Sequence, residues 1–175
     1  MTTERKQGSY PDCIFLLNIY SARRSIMLEI QQQFRSHIQR HCNETGFTIP
    51  DLLEDYLVGL LSSRLRETEL IPEPSFGERY LQLQQLNRAY LFQEYADQCL
   101  FFVSLLPEYG KRRGLDIEYY ATLGIASYYT VGDRIHDDRF IQLGNWFYHL
   151  QKFLNSAIHP ETRLELFDLV NKAKY

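Results

Sequence analysis

Cysteine is scarce and badly placed for staples. Cys13, Cys42 and Cys99 are odd in number and widely spaced, with no CxxC pair. No disulfide framework is available, so a reducing compartment is expected. Excess basic charge is missing as well: 19 Lys and Arg stand against 22 Asp and Glu, a formal charge of -3. That balance provides no electrostatic footprint for nucleic acid, and no nucleic-acid partner is expected. Long hydrophobic runs are also absent. The longest charge-free stretch of note, Tyr119 to Gly132, falls short of the roughly 20 apolar residues a membrane span needs. The opening residues, Met1 to Ser9, contain no apolar core of a signal peptide and read as a disordered tail. A cytoplasmic protein without a membrane partner is the expectation, with residues 10–175 forming one helical domain.

Catalytic signatures are equally scarce. There is no Walker loop, dinucleotide-binding glycine turn, nucleophile elbow or zinc-ligand array. No Glu is followed three residues later by His, which removes the paired Glu-x-x-His motif of di-iron bundles. No cofactor and no metal are expected, and the balance leans away from an enzyme. Strands are unsupported too, because neither period-2 alternation nor an Asn-Gly or Asp-Gly hairpin turn occurs.

What the chain does hold is aromatic surface and helical punctuation. It carries 13 Tyr, 11 Phe and one Trp. Tyrosine suits positions where the ring is buried and the hydroxyl reaches a polar partner, so the interior is expected to be semi-polar. Ile19, Ile26, Met27, Ile30, Phe34 and Ile38 recur at helical steps and predict a long amphipathic helix from about Asp12 to Cys42. Thr48-Ile-Pro-Asp51 reads as a helix start with Thr48 as cap, and Leu53, Tyr56, Leu57, Leu60 and Leu61 as the buried stripe. Glu67 to Pro74 is a connector. Ser75 to Glu78 opens a pattern that runs to Leu106, with Asn87-Arg88 as a point of interruption and Pro107 as the stop. Asp116 caps the charge-free helix and Gly132 is expected to end it. A further helix spans about Arg134 to Ala157, and His159-Pro160-Glu161 opens a last one. The class is all-α: a single-domain bundle of six to seven helices around a central buried helix pair.

Three groups of residues carry candidate chemistry. On the helix through residue 94, one face holds Leu83, Leu86, Tyr90, Glu94, Asp97 and Phe101. Carboxylates among aromatics must be paired, hydrogen-bonded or protonated. Tyr90, Glu94 and Asp97, with Tyr119 and Tyr120 from the charge-free helix, are therefore ligand-binding candidates. The structural alternative ties the acids to tyrosine hydroxyls and to an arginine such as Arg88 or Arg134, or leaves them reaching solvent. The basic loop Lys111-Arg112-Arg113 before a helix start is an anion-binding candidate. Phe140, Leu143, Phe147, Leu150 and Leu154 form a short heptad seam. That seam either closes the core or serves as an interface with a second copy of the chain or another protein.

Two further clusters read as structural. His37 and His41 have ligand-like spacing beside Cys42, but two residues do not close a metal site. Asp133, Asp137 and Asp138 suit a helix start without any metal. Gly124, Ala126 and Gly144 are small enough for close helix approach. The preferred functional expectation is a homodimeric interaction module. A Tyr-lined ligand-binding domain and a Glu/Asp enzyme are the alternatives.

Overall fold

The computed structural model describes residues 12–64, 76–86, 88–112 and 116–158, and within them every element is helical. The tail at 1–9, the 67–74 connector, Ser75, Arg113 and the last expected helix lie outside the described residues.

The first helix, α1 (Asp12–Thr45), presents Ile30, Phe34 and Ile38 along one stripe, and none retains accessible surface. The side chains of Ile19 and Ile26, expected on the same stripe, are outside the described set. Gly46 follows at φ 69, the left-handed turn position where a missing Cβ removes the steric cost. The chain then reverses into α2 (Asp51–Arg64), whose Leu53, Leu57, Leu60 and Leu61 are buried. The Pro50 carbonyl accepts the first helical N–H groups, from Leu53 at 2.8 Å and Glu54 at 3.1 Å. Thr48 thus sits before the helix, and the start lies two residues later than its hydroxyl predicts. Proline in that place forgoes no donor the helix needs.

The expected interruption is present at Arg88, while Asn87 lies outside the described residues. The interruption divides the pattern into α3 (Phe76–Leu86) and α4 (Ala89–Leu105), and Arg88 has extended backbone with φ -110 and ψ 118. Pro107 begins the short α5 (Pro107–Arg112). Asp116 accepts the Tyr119 N–H at 3.2 Å and caps α6 (Ile117–Ile135), as its position predicts. Gly132 does not end this helix. The left-handed residue is His136, at φ 54 and ψ 48, and its N–H and that of Asp137 return to the Gly132 carbonyl. Asp137 then caps α7 (Asp138–Ala157) by accepting the Arg139 N–H at 3.0 Å.

The central pair is α4 with α6, the most extensively packed partners in the bundle. Helix α7 covers both, and the α1–α2 hairpin closes the remaining sides of α4 and α7. Gly124 explains how close the three central helices come. A Cβ there would lie 2.8 Å from Cys99 Cβ and 2.8 Å from the Phe147 ring. Gly132 performs the same service for Ile141, whose side chain occupies the space a Cβ would take. Its role is helix approach rather than helix termination.

The heptad seam of α7 is spent inside this arrangement. Leu143, Phe147, Leu150 and Leu154 have no accessible surface, and Phe140 retains 4%. The interface expectation for these five side chains is revised accordingly: α7 turns its apolar stripe toward α4 and α6, and no part of it faces outward. Among the described residues, no helix is long and apolar enough to cross a membrane.

Candidate functional site

The polar residues singled out from the sequence do not converge. Asp97 is held internally. Its Oδ1 accepts the Tyr56 hydroxyl of α2 at 2.6 Å and the Tyr128 hydroxyl of α6 at 2.7 Å. Gln93 donates to the same Tyr56 oxygen at 3.4 Å. One carboxylate on α4 therefore fastens α2 and α6. Burial pushes the Asp97 carboxyl up to about 6, against the opposing pull of the two hydroxyls and of the Arg64 charge. Burial, reinforced by the carboxylate, also raises both tyrosine hydroxyls, so they remain protonated donors.

The cation near Asp97 is Arg64, at the end of α2, and not Arg88 or Arg134. Arg64 is 5% exposed and donates from Nη2 to the Glu94 carbonyl at 2.8 Å. Arg134 instead lies over the Phe92 ring, 4.6 Å from its centroid, and Arg88 donates to the exposed Tyr90 hydroxyl at 3.3 Å. Glu94 points elsewhere, with its carboxylate 44% exposed and 3.6 Å from Arg79 of α3. The reason is one of helix geometry: residues three apart differ by about 60° around the axis, enough to place Asp97 between α2 and α6 while Glu94 meets α3.

The other candidates scatter. Tyr90 is 58% exposed and Tyr119 47%, the latter with its hydroxyl close to Gly77. Tyr120 is buried edge-on to Phe102, with centroids 5.6 Å apart. Lys111 pairs with Glu108 at 2.8 Å on the surface of α5. Of the remaining basic-loop candidates, the Arg112 side chain and Arg113 are outside the described residues. Asp133 and His136 are exposed, and Asp137 is gripped by the Arg139 guanidinium, which lowers its carboxyl. Among the described residues, no group of three or more His, Cys, Asp or Glu side chains is placed to hold a metal ion.

A different site forms where the end of α1 meets the second half of α7. His41 and Thr45 of α1, Gly46 and Phe47 of the turn, and His149, Lys152, Phe153 and Ser156 of α7 surround an opening of about 370 Å³. Its floor is aromatic. Phe47 stacks on Phe153 at 5.2 Å with planes 27° apart, His41 meets Phe153 edge-on at 5.1 Å, and Trp146 lies 6.1 Å from Phe47. Its rim is cationic or hydrogen-bonding, and none of the described lining residues is acidic. Among the described residues, the Lys152 ammonium and the His149 ring nitrogens engage no hydrogen-bond partner.

Ser156 and His41 approach to 2.8 Å across this cleft, which invites comparison with a nucleophilic pair. The proton count argues otherwise. Ser156 Oγ also lies 3.0 Å from the Lys152 carbonyl and 2.9 Å from the Phe153 carbonyl, and both can only accept. The single hydroxyl proton has two helix carbonyls as competing acceptors, so Ser156 is not committed to His41 as its base. The contact places the imidazole against α7.

A neighbouring opening of about 430 Å³ shares Gly46 and Phe47 and is lined further by Cys42, Ile49 and Glu54. Glu54 is already bound by Arg35 at 3.0 Å and Gln39 at 3.0 Å, and burial raises the Cys42 thiol. Phe47 separates this acid-bearing opening from the acid-free one.

Of the polar cleft residues, only His41 attracted functional attention in the sequence. A signal was present, since His149, Lys152 and Ser156 recur at helical steps on one face of α7. What the sequence could not supply is the opposite wall, as His41 lies 115 residues from Ser156. No protein-family model, curated protein or solved structure matches this chain.

Proposed function

We propose that this chain is a ligand-binding helical domain that takes up a small anionic molecule in the cleft between α1 and α7. One observation carries the reading. Lys152, His149 and His41 meet around a single acid-free opening, in a chain whose formal charge is -3. The Lys152 ammonium, with no acid among the described residues of the lining and two imidazoles beside it as further hydrogen-bonding groups, favours a negative guest. The volume falls at the small end of the range of ligand pockets, about 300–1,000 Å³, and the combination of apolar floor and few polar groups is typical of them.

The rival readings are less well supported. An enzyme built on Glu94 and Asp97 requires both acids in one cleft, whereas they engage different partners on different sides of α4. Self-association through the α7 seam requires side chains that the monomer has already buried.

Acetate and inorganic phosphate, added separately and followed by amide chemical shifts, test the proposal. Saturable shifts confined to residues 41–47 and 149–156 are expected, and they should vanish in Lys152→Met. Shifts that are absent, or scattered over the whole surface, would sink it.

A further inference from the structure

The lining of the cleft carries information about the shape of the guest as well as its charge. The lining rings His41, Phe153, Phe47 and His149 form a series in which Trp146, outside the lining, links Phe47 to His149. Successive centroids lie 5.1, 5.2, 6.1 and 6.0 Å apart in edge-on or stacked arrangement. Most of these rings lie at the periphery of the bundle, since Phe47 and Trp146 are only partly buried and His149 is exposed. Apolar surface at such a place is costly to leave in water, and its retention beside an ammonium defines a two-part surface.

Resting on the anionic-ligand reading, we propose that the guest is an aromatic carboxylate of one or two rings. Its ring lies against the Phe47–Phe153 floor, and its carboxylate meets Lys152 and His149. Three features support this guest over an aliphatic acid or a bare anion. Phe47, only partly buried and stacked over the buried Phe153 with planes 27° apart, keeps exposed ring surface on which a guest ring can lie. His149 and Lys152 stand one helical turn apart on α7, so one carboxylate reaches both. The opening of about 370 Å³ accommodates a ring with a short acidic arm.

The test uses the full chain and three fluorine- or competition-read probes: 4-fluorophenylacetate, cyclohexylacetate and 2-(4-fluorophenyl)ethanol. The aromatic acid should bind at least 3-fold more tightly than the cyclohexyl acid and at least 5-fold more tightly than the neutral alcohol. Phe47→Leu, in the partly exposed turn, should bring the first ratio toward one while leaving acetate binding in place. Phe153→Leu should do the same, and the turn variant keeps the test valid if that substitution disturbs the core. Equal binding of the aromatic and cyclohexyl acids would overturn the aromatic guest and leave the anionic reading standing. Equal binding of the alcohol, or no binding of any probe, acetate or phosphate, would overturn both.

Discussion

Two polar regions of this bundle are built from the same kinds of residue and behave in opposite ways. Around Asp97 the polar groups are engaged with one another: two tyrosine hydroxyls meet one carboxylate oxygen, and a buried guanidinium meets a backbone carbonyl nearby. Around Lys152 and His149, donors outnumber acceptors and the opening admits solvent. The first region has consumed its chemistry in joining α2, α4 and α6. The second has chemistry left over. A perturbed carboxyl is often taken as the mark of an active site, yet in this molecule the perturbed group is the structural one.

The comparison can be broken most forcefully at Asp97. Asp97→Ala removes the acceptor of two buried hydroxyls, and stability should fall by about 1–3 kcal/mol with probe binding in the cleft unaltered once folded. A melting curve near pH 4, where the Asp97 carboxyl is protonated in the fold, together with a probe titration at neutral pH and low temperature checks both halves. An unchanged melting temperature would mean that the network contributes nothing.

The charge state of Asp97 sharpens the same contrast. Its folded carboxyl titrates at about 6 against an ordinary 3.8, so the fold binds a proton that the unfolded chain has released between those values. This group's contribution to stability is therefore fully present below about pH 4 and lost as pH rises through 6. At about 1.36 kcal/mol per pKa unit, the loss is about 3 kcal/mol. Asp97→Asn retains an acceptor oxygen without the charge. It should match the native protein near pH 4 and exceed it in stability above pH 6, as read by denaturant unfolding at several pH values. A native-like pH profile in the Asn variant would sink the assignment.

At the cleft the expected effects are on binding alone. Lys152→Met keeps the aliphatic stem and removes the charge, so stability should move by less than about 0.5 kcal/mol while affinity for 4-fluorophenylacetate drops about 10-fold, or about 1.4 kcal/mol. Loss of stability with affinity preserved would reverse the roles assigned to the two regions. The smallest effect belongs to the surface clamp between α1 and α2. Arg35 meets Glu54 at 3.0 Å and Asp55 at 2.6 Å but is 43% exposed, so Arg35→Ala should cost less than about 1 kcal/mol. A larger cost in a thermal melt would show that exposed ion pairs carry more of the hairpin than burial does.

Much of the architecture is legible in local pattern. The stripe Ile30, Phe34, Ile38 and the α7 seam follow from helical periodicity, which depends only on which residues share a face. The Asp116 cap is equally local, being a side chain answering an N–H three residues on. Helix ends were harder. His136 and not Gly132 takes the left-handed turn, because Gly132 is needed where Ile141 of α7 crosses. A glycine's reason for being there was tertiary, and no reading of turn preference contains it.

The candidate sites divide along the same line. That Asp97 needs a hydroxyl or a cation is forced by its apolar surroundings, and a Tyr-tied acid is one of the alternatives the sequence offers on these grounds. It could not say that Tyr56 and Tyr128 would supply the hydroxyls rather than Tyr90, Tyr119 or Tyr120. Those partners stand 41 and 31 residues away from Asp97.

By itself, then, the sequence determined the all-α class, most of the buried stripes and the demand for partners at buried charge. Each of these follows from spacing along one helix or from the desolvation of one group. Tertiary structure alone decided which helices meet, that Asp97 is fastened while Glu94 is not, and that His41 faces His149, Lys152 and Ser156 across an open cleft. Such juxtapositions depend on crossing angles and on the close approaches permitted at Gly124 and Gly132, and helical periodicity carries no information about either.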